Sequence, residues 1–221
     1  MRQILFAILL LLPNLALAGA WPRAESSTFV ALSWNTGKTE SDQTDGYRSF
    51  FLETGFTPKT TLVVKSWSRN DGAYGDLVGS LSYHPQATKN GHQFSFGLGL
   101  GVRHFKNATP RPLIMPTVSW GKGFETPRAN GWMSADLTLG HTVGLGETWH
   151  KADFTFGLKP DDTTHLILQL RSFHEPQGQV TALAPSYVKK LRDGVNMEIG
   201  MTYRTTGQNR VGLTIGSWIE F

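Results

Sequence analysis

The sequence predicts an all-β chain: a transmembrane antiparallel β-barrel of about twelve strands behind a cleaved N-terminal signal peptide. Three observations carry this reading. Apolar and polar residues alternate with period two over stretches of about ten residues, the length a tilted strand needs to cross a bilayer. No segment after the N-terminus is apolar enough to cross as a helix. The chain opens on a basic residue, an apolar run and small residues, in that order.

The opening segment is read first because it is removed from fold reasoning. Arg2 is followed by the purely apolar run Ile4 to Leu12 and then by Ala16-Leu17-Ala18 and Ala18-Gly19-Ala20. This is the layout of a secretory signal, and the apolar run is well short of the ~20 residues of a spanning helix. Cleavage is expected before Trp21, which makes 1–20 the signal and 21–221 the barrel; cleavage before Gly19 is the neighbouring alternative.

Composition narrows the function. The chain has 221 residues and no cysteine, which rules out a lipidated N-terminus, a disulfide framework and thiolate metal sites. The formal net charge of +4 loses one unit with Arg2. The basic residues are spread along the chain, so no nucleic-acid partner is expected.

The clearest strand covers 93–104. Phe94, Phe96, Leu98, Leu100 and Val102 alternate with Ser95, Gly97, Gly99, Gly101 and Arg103. Similar alternation marks strands near 132–140, 151–158, 166–171, 195–204 and 211–221. Fainter strands lie at 27–36, 47–56, 60–70 and 73–84. Two more, near 113–122 and 180–190, contain Pro116 and Pro185. Every strand of a barrel is paired on both sides, so each proline predicts a bulge or a shifted boundary. Twelve strands put both termini at one end; ten and fourteen are the neighbouring counts.

The connections are expected to alternate. Thr57-Pro58-Lys59, Lys159 to Asp162 and Arg192-Asp193-Gly194 read as tight turns. Thr36 to Gly46, Arg69 to Gly72, Lys106 to Pro112 and Glu175 to Gln179 read as more polar loops. Short turns on one side and longer loops on the other are the layout of membrane barrels. On this register Phe56, Tyr83, Trp120 and Phe221 face outward at one end, and Trp34 and Tyr203 at the other, as interfacial girdles. The competing soluble architecture is an inverted barrel with its apolar face inward.

The chain ends in Gly-Ser-Trp-Ile-Glu-Phe, with Phe221 last and apolar residues alternating back from it; Ser217 departs from the pattern. This segment resembles the C-terminal strand by which bacterial outer-membrane barrels are recognised for assembly. The start Ala20-Trp21-Pro22 is similar to that of some uncharacterised proteobacterial barrels. The resemblance implies export and an outer-membrane location, with membrane lipid and the barrel-assembly machinery as partners, the latter through the strand ending in Phe221.

Function is sought first in the lumen. Its expected polar face carries Glu53, Lys65, Asp76, Lys151, Gln169 and Glu220. Six further charges are expected to line a pore and set its selectivity: Arg103, Asp136, Asp153, Arg171, Glu198 and Arg204. The expectation is a narrow passive channel for small polar or charged solutes. Twelve strands lie between barrels that are filled and barrels that are open, so a lumen plugged by its own salt bridges, serving as a membrane anchor, stays in view. Gly97, Gly99 and Gly101 either leave room beside Arg103 or admit neighbouring side chains.

An enzymatic alternative uses the outer face. His104, His141, His150 and His174 fall outward at the loop end. Ser172 and His174, with His150 across the hairpin, offer the parts of a lipid-directed hydrolase, though no amide or carboxylate orients them. No cofactor is expected, and the histidine spacing gives no metal site. The loop 36–46, with Glu40, Asp42 and Asp45, is a weak candidate for a cation.

Overall fold

The computed structural model describes residues 19–38, 44–176, 178–206 and 211–221. Twelve strands form in sequence order: β1 (Thr28–Lys38), β2 (Thr44–Thr57), β3 (Thr60–Arg69) and β4 (Tyr74–Tyr83). They are followed by β5 (His92–Phe105), β6 (Ala108–Glu125), β7 (Asn130–Thr142) and β8 (Glu147–Asp161). The last four are β9 (Thr164–Glu175), β10 (Gly178–Arg192), β11 (Val195–Arg204) and β12 (Val211–Glu220). Each pairs antiparallel with its sequence neighbours, and β1 closes on β12 from Phe29↔Glu220 to Gly37↔Gly212. The seam is tied beyond the strands by Thr28 and Phe221, whose backbone groups exchange bonds of 2.7 and 3.0 Å.

The alternation decides which face is which. Phe96, Leu98 and Leu100 on β5 are 51, 57 and 63 % exposed. The register aligns them with Tyr83, Leu81 and Gly79 on β4 and with Val118, Pro116 and Ile114 on β6. The same outward face continues through Leu137, Phe154, Leu170, Leu183, Ile199 and Ile215, all exposed. A water-soluble protein does not carry a continuous apolar belt of this kind, and closure leaves no unpaired strand edge to face hydrocarbon. The inverted arrangement is thereby excluded. Phe56, Tyr83 and Phe221 are exposed at the end where β1 starts and β12 finishes, called proximal below, and Trp34 and Tyr203 at the other, distal end.

Of the two outcomes expected at the proline strands, the boundaries are the one that is met: β6 and β10 both extend beyond 113–122 and 180–190. Neither bulges at its proline. Pro116 pairs with Leu98 on one side, while on the other the ladder stops at Ile114↔His141 and resumes at Thr117↔Thr138 in the same register. Pro185 pairs with Leu168, and the ladder to β11 skips from Leu183↔Tyr203 to Ser186↔Gly200. A proline removes one donor, and a long ladder tolerates a two-residue gap without slipping. The register shifts that do occur lie beside strand ends, at Gly55/Thr57, Arg103/Phe105, Leu158/Asp161 and Lys190/Arg192.

The connections alternate less cleanly than expected. The proximal turns at 58–59, 162–163 and 193–194 are tight, but residues 84–91, also proximal, form a longer connection than any fully described distal loop. Much of Lys106 to Pro112 belongs to β6. Of the acidic loop, Glu40 and Asp42 fall outside the described residues.

Candidate functional site: the barrel lumen

The lumen is filled unevenly. Its proximal half is entered by the chain's own N-terminal segment, which turns back before β1 and buries Ala20 and Arg23 inside the barrel. Arg23 is 9 % exposed and donates from Nε and Nη2 to Glu53 Oε2, each at 3.3 Å, and from Nη1 to Glu220 Oε1 at 3.2 Å. Its guanidinium lies 4.7 Å from the centre of the Phe29 ring. The Arg23 amide donates to Thr61 Oγ1 at 3.2 Å. Further in, Ser95 Oγ donates to the Gly19 carbonyl at 2.7 Å, and His84 Nδ1 meets the Ala20 carbonyl at 3.2 Å. A carbonyl only accepts, so this contact places the His84 proton on Nδ1. Burial holds that imidazole below its ordinary range, with the Ala20 contact opposing.

The wall is shaped to receive this segment. A Cβ on Gly121 would strike the Trp21 ring, and one on Gly55 would strike the Ala24 carbonyl. Trp21 and Trp218 pack on Trp132, Ile167 and Val188. Trp132 in turn lies over Gly157, its register partner on β8. A glycine opposite a tryptophan lets the indole lie flat along the wall instead of standing into the lumen.

A second apolar cluster fills part of the distal half. Trp149 lies over its partner Gly140 and packs with Val78, Leu113, Met115 and Phe173. Beside it, Arg103 donates to Asp76 from Nε at 2.8 Å and Nη2 at 3.0 Å, and Trp67 Nε1 donates to Asp76 at 2.9 Å. Both side chains of the pair are 5 % exposed, and Arg103 sits 5.5 Å from the Trp149 ring centre. The space above Gly97 and Gly99 is taken by Ser80, Ser82, Val78, Met115 and Thr117. Arg103 is therefore a paired, buried group in the wall.

The other five expected pore residues also face inward, in three environments. Asp136 and Asp153 are register partners on β7 and β8. Lys151 pairs with Asp153 at 2.5 Å, and Asp136 lies beside Gly19 and Ser119. Glu198 accepts from Trp218 Nε1 at 3.0 Å. Arg171 and Arg204 flank Ala182, which pairs with both, so their backbones stand at one level, about 10 Å apart by strand spacing. Among the described residues Arg171 donates to the neutral Gln169 Oε1, from both Nε and Nη2.

Between these arginines and β1 lies a cavity of about 160 Å³, lined among others by Asn35, Tyr47, Lys151, Arg171, Phe173 and Arg204. No carboxylate of the described residues lines it. Among the described residues the charged groups of its lining are Lys151, Arg171 and Arg204, with Asp153 paired to Lys151 at 2.5 Å.

The outward histidines give a partial match to expectation. His150 and His174 are register partners and their rings stack at 4.8 Å and 23°. Ser172 faces the same way but stands opposite Ala152 and Thr181. Among the described residues no hydrogen bond joins Ser172 to either histidine, and no group of three or more His, Asp or Glu side chains is placed to hold a metal. The nucleophile and base of a hydrolase are present as residues without the contact that would couple them.

Sequence reasoning missed segment 19–27 altogether. It has no alternation; the glycines Gly55 and Gly121, against which Ala24 and Trp21 lie, are the signal that could have found it.

No protein-family model matches the chain, and no curated protein matches its sequence. The fold is that of bacterial outer-membrane barrels. An outer membrane channel from Pseudomonas putida F1 superposes with a TM-score of 0.64 at 10% identity, covering 94% of this chain and 100% of the other. The NanC porin gives 0.59 at 11% identity, covering 87% and 98%. The KdgM porin in complex with disordered oligogalacturonate gives 0.59 at 7% identity, covering 86% and 99%.

Proposed function

We propose that the chain is a narrow passive channel of the bacterial outer membrane whose open state favours small anionic solutes. The observation that carries this reading is the distal cavity, whose lining holds Lys151, Arg171 and Arg204 and, among the described residues, no carboxylate. Fixed charge of one sign in a narrow, low-dielectric passage concentrates counter-ions and excludes co-ions. The neighbours that share the fold include an outer membrane channel and porins, one of them solved with an anionic sugar polymer. On this reading the signal exports the chain, the strand ending in Phe221 engages the assembly machinery, lipid covers the apolar belt, and the distal end faces outside. Passage requires residues 19–24 to leave the proximal half.

A second reading, a closed barrel serving as a membrane anchor, draws on that occupied half. Reversal potentials across a potassium chloride gradient in planar bilayers separate the two. Wild-type openings are expected to favour chloride over potassium severalfold, and Arg171→Glu/Arg204→Glu is expected to reverse the sign. Cation preference in the wild type, or an unchanged sign in the double variant, would contradict the channel proposal. An inserted barrel that never opens would favour the anchor.

A further inference from the structure

We propose that the leader is cleaved between Ala18 and Gly19, and that the α-ammonium group created on Gly19 is the latch that holds segment 19–24 in the lumen against Glu53 and Asp136. Ala16 and Ala18 satisfy the small-residue requirement for this site, two residues earlier than the site the sequence favours. Cleavage adds one water across the Ala18–Gly19 peptide, leaving a carboxylate on Ala18 and an ammonium on Gly19.

The structure treats Gly19 and Ala20 as parts of the folded barrel. Ala20 is fully buried. Gly19 has φ +90°, in the left-handed region, and a Cβ there would run into Asp136 Oδ1 and Ser119 Oγ. Only glycine combines that backbone with that closeness. The Gly19 backbone amide lies close enough to the Glu53 carboxylate to interact with it. Cleavage before Trp21 would remove the carbonyls that Ser95 and His84 bond, leaving two buried donors without acceptors, each costing about 1–3 kcal/mol.

Charge leads to the same site. The proximal lumen gathers Glu53, Glu220 and Asp136. Arg23 meets the first two. Lys65, on the strand beside that of Glu53, interacts with Glu53, Asp136 and Asp153. An ammonium on Gly19 places a second positive group where Asp136 and Glu53 converge. Buried carboxylates need such partners. The consequence for permeation rests on the channel reading; the cleavage site and the latch do not.

The test begins with the precursor expressed in a Gram-negative host and the mature protein extracted from outer membranes. Intact mass is expected to give a chain starting at Gly19. Acylation of its α-amine near neutral pH is expected to run at least tenfold slower in the folded barrel than in urea. Asp136→Asn, and separately Gly121→Leu, which takes the place of Trp21, are each expected to restore most of that reactivity. A mature chain starting at Trp21, a retained leader, or an α-amine labelled at the unfolded rate would overturn the proposal. If the latch behaves as expected but Gly121→Leu never conducts, the channel reading fails and the latch stands.

Discussion

Asp76→Ala is expected to destabilise the barrel by about 3–5 kcal/mol, the cost of leaving a buried charge without its partner. Arg103 would lose both of its bonds to Asp76, and its guanidinium would be left against Trp149, Val78 and Met115 in a cluster that admits little water. Trp67 would lose its acceptor as well. Urea unfolding in detergent, followed by tryptophan fluorescence, measures the loss. Asp76→Leu combined with Arg103→Met is expected to recover most of it, because an apolar pair of similar volume replaces a buried ion pair at little cost. Arg103→Glu sets two carboxylates face to face and is expected to impair folding. An Arg103→Glu barrel of normal stability with altered ion selectivity would instead return Arg103 to the pore.

Arg23→Ala is expected to release the N-terminal segment. Glu53 is 4 % exposed and Arg23 is its closest cation. Without it, the least costly response is for residues 19–24 to withdraw and let water reach the carboxylate. Loss of about 3 kcal/mol of docking energy shifts the docked-to-released ratio more than a hundredfold. The chain has no cysteine, so Ser95→Cys supplies a single thiol beneath the segment, at a site 3 % exposed. Its alkylation is expected to accelerate about a hundredfold in the Arg23→Ala background, and Glu53→Gln is expected to undo most of that change. Equal alkylation rates in both backgrounds would mean that Arg23 does not hold the segment.

The strands were legible because a lipid-facing wall imposes period two on every one of them. Phe94 to Val102 declares its outward face without reference to any partner, and the register then fixes Leu81 and Pro116 beside Leu98. No bulge forms at Pro116 or Pro185 because a proline bears on one ladder bond, whereas the register is set by the whole strand. The lumen was less legible. All six expected pore residues point inward, yet inward is not the same as water-lined. Asp76 and Arg103 meet across neighbouring strands, and no spacing in the sequence reveals that they consume each other. Trp132 and Trp149 settle along the wall because Gly157 and Gly140 face them. Arg171 and Arg204 share a level only through Ala182, a residue with no functional signal of its own.

The most direct test of the account is solute uptake by liposomes carrying the wild-type barrel, compared for a sugar acid, the uncharged sugar and the amino sugar of the same size. Fastest entry of the acid is predicted, with the amino sugar slowest, because Lys151, Arg171 and Arg204 line the cavity and no carboxylate of the described residues joins them. Equal rates for the three, fastest entry of the amino sugar, or no uptake by a barrel demonstrably inserted in the liposomes would contradict it.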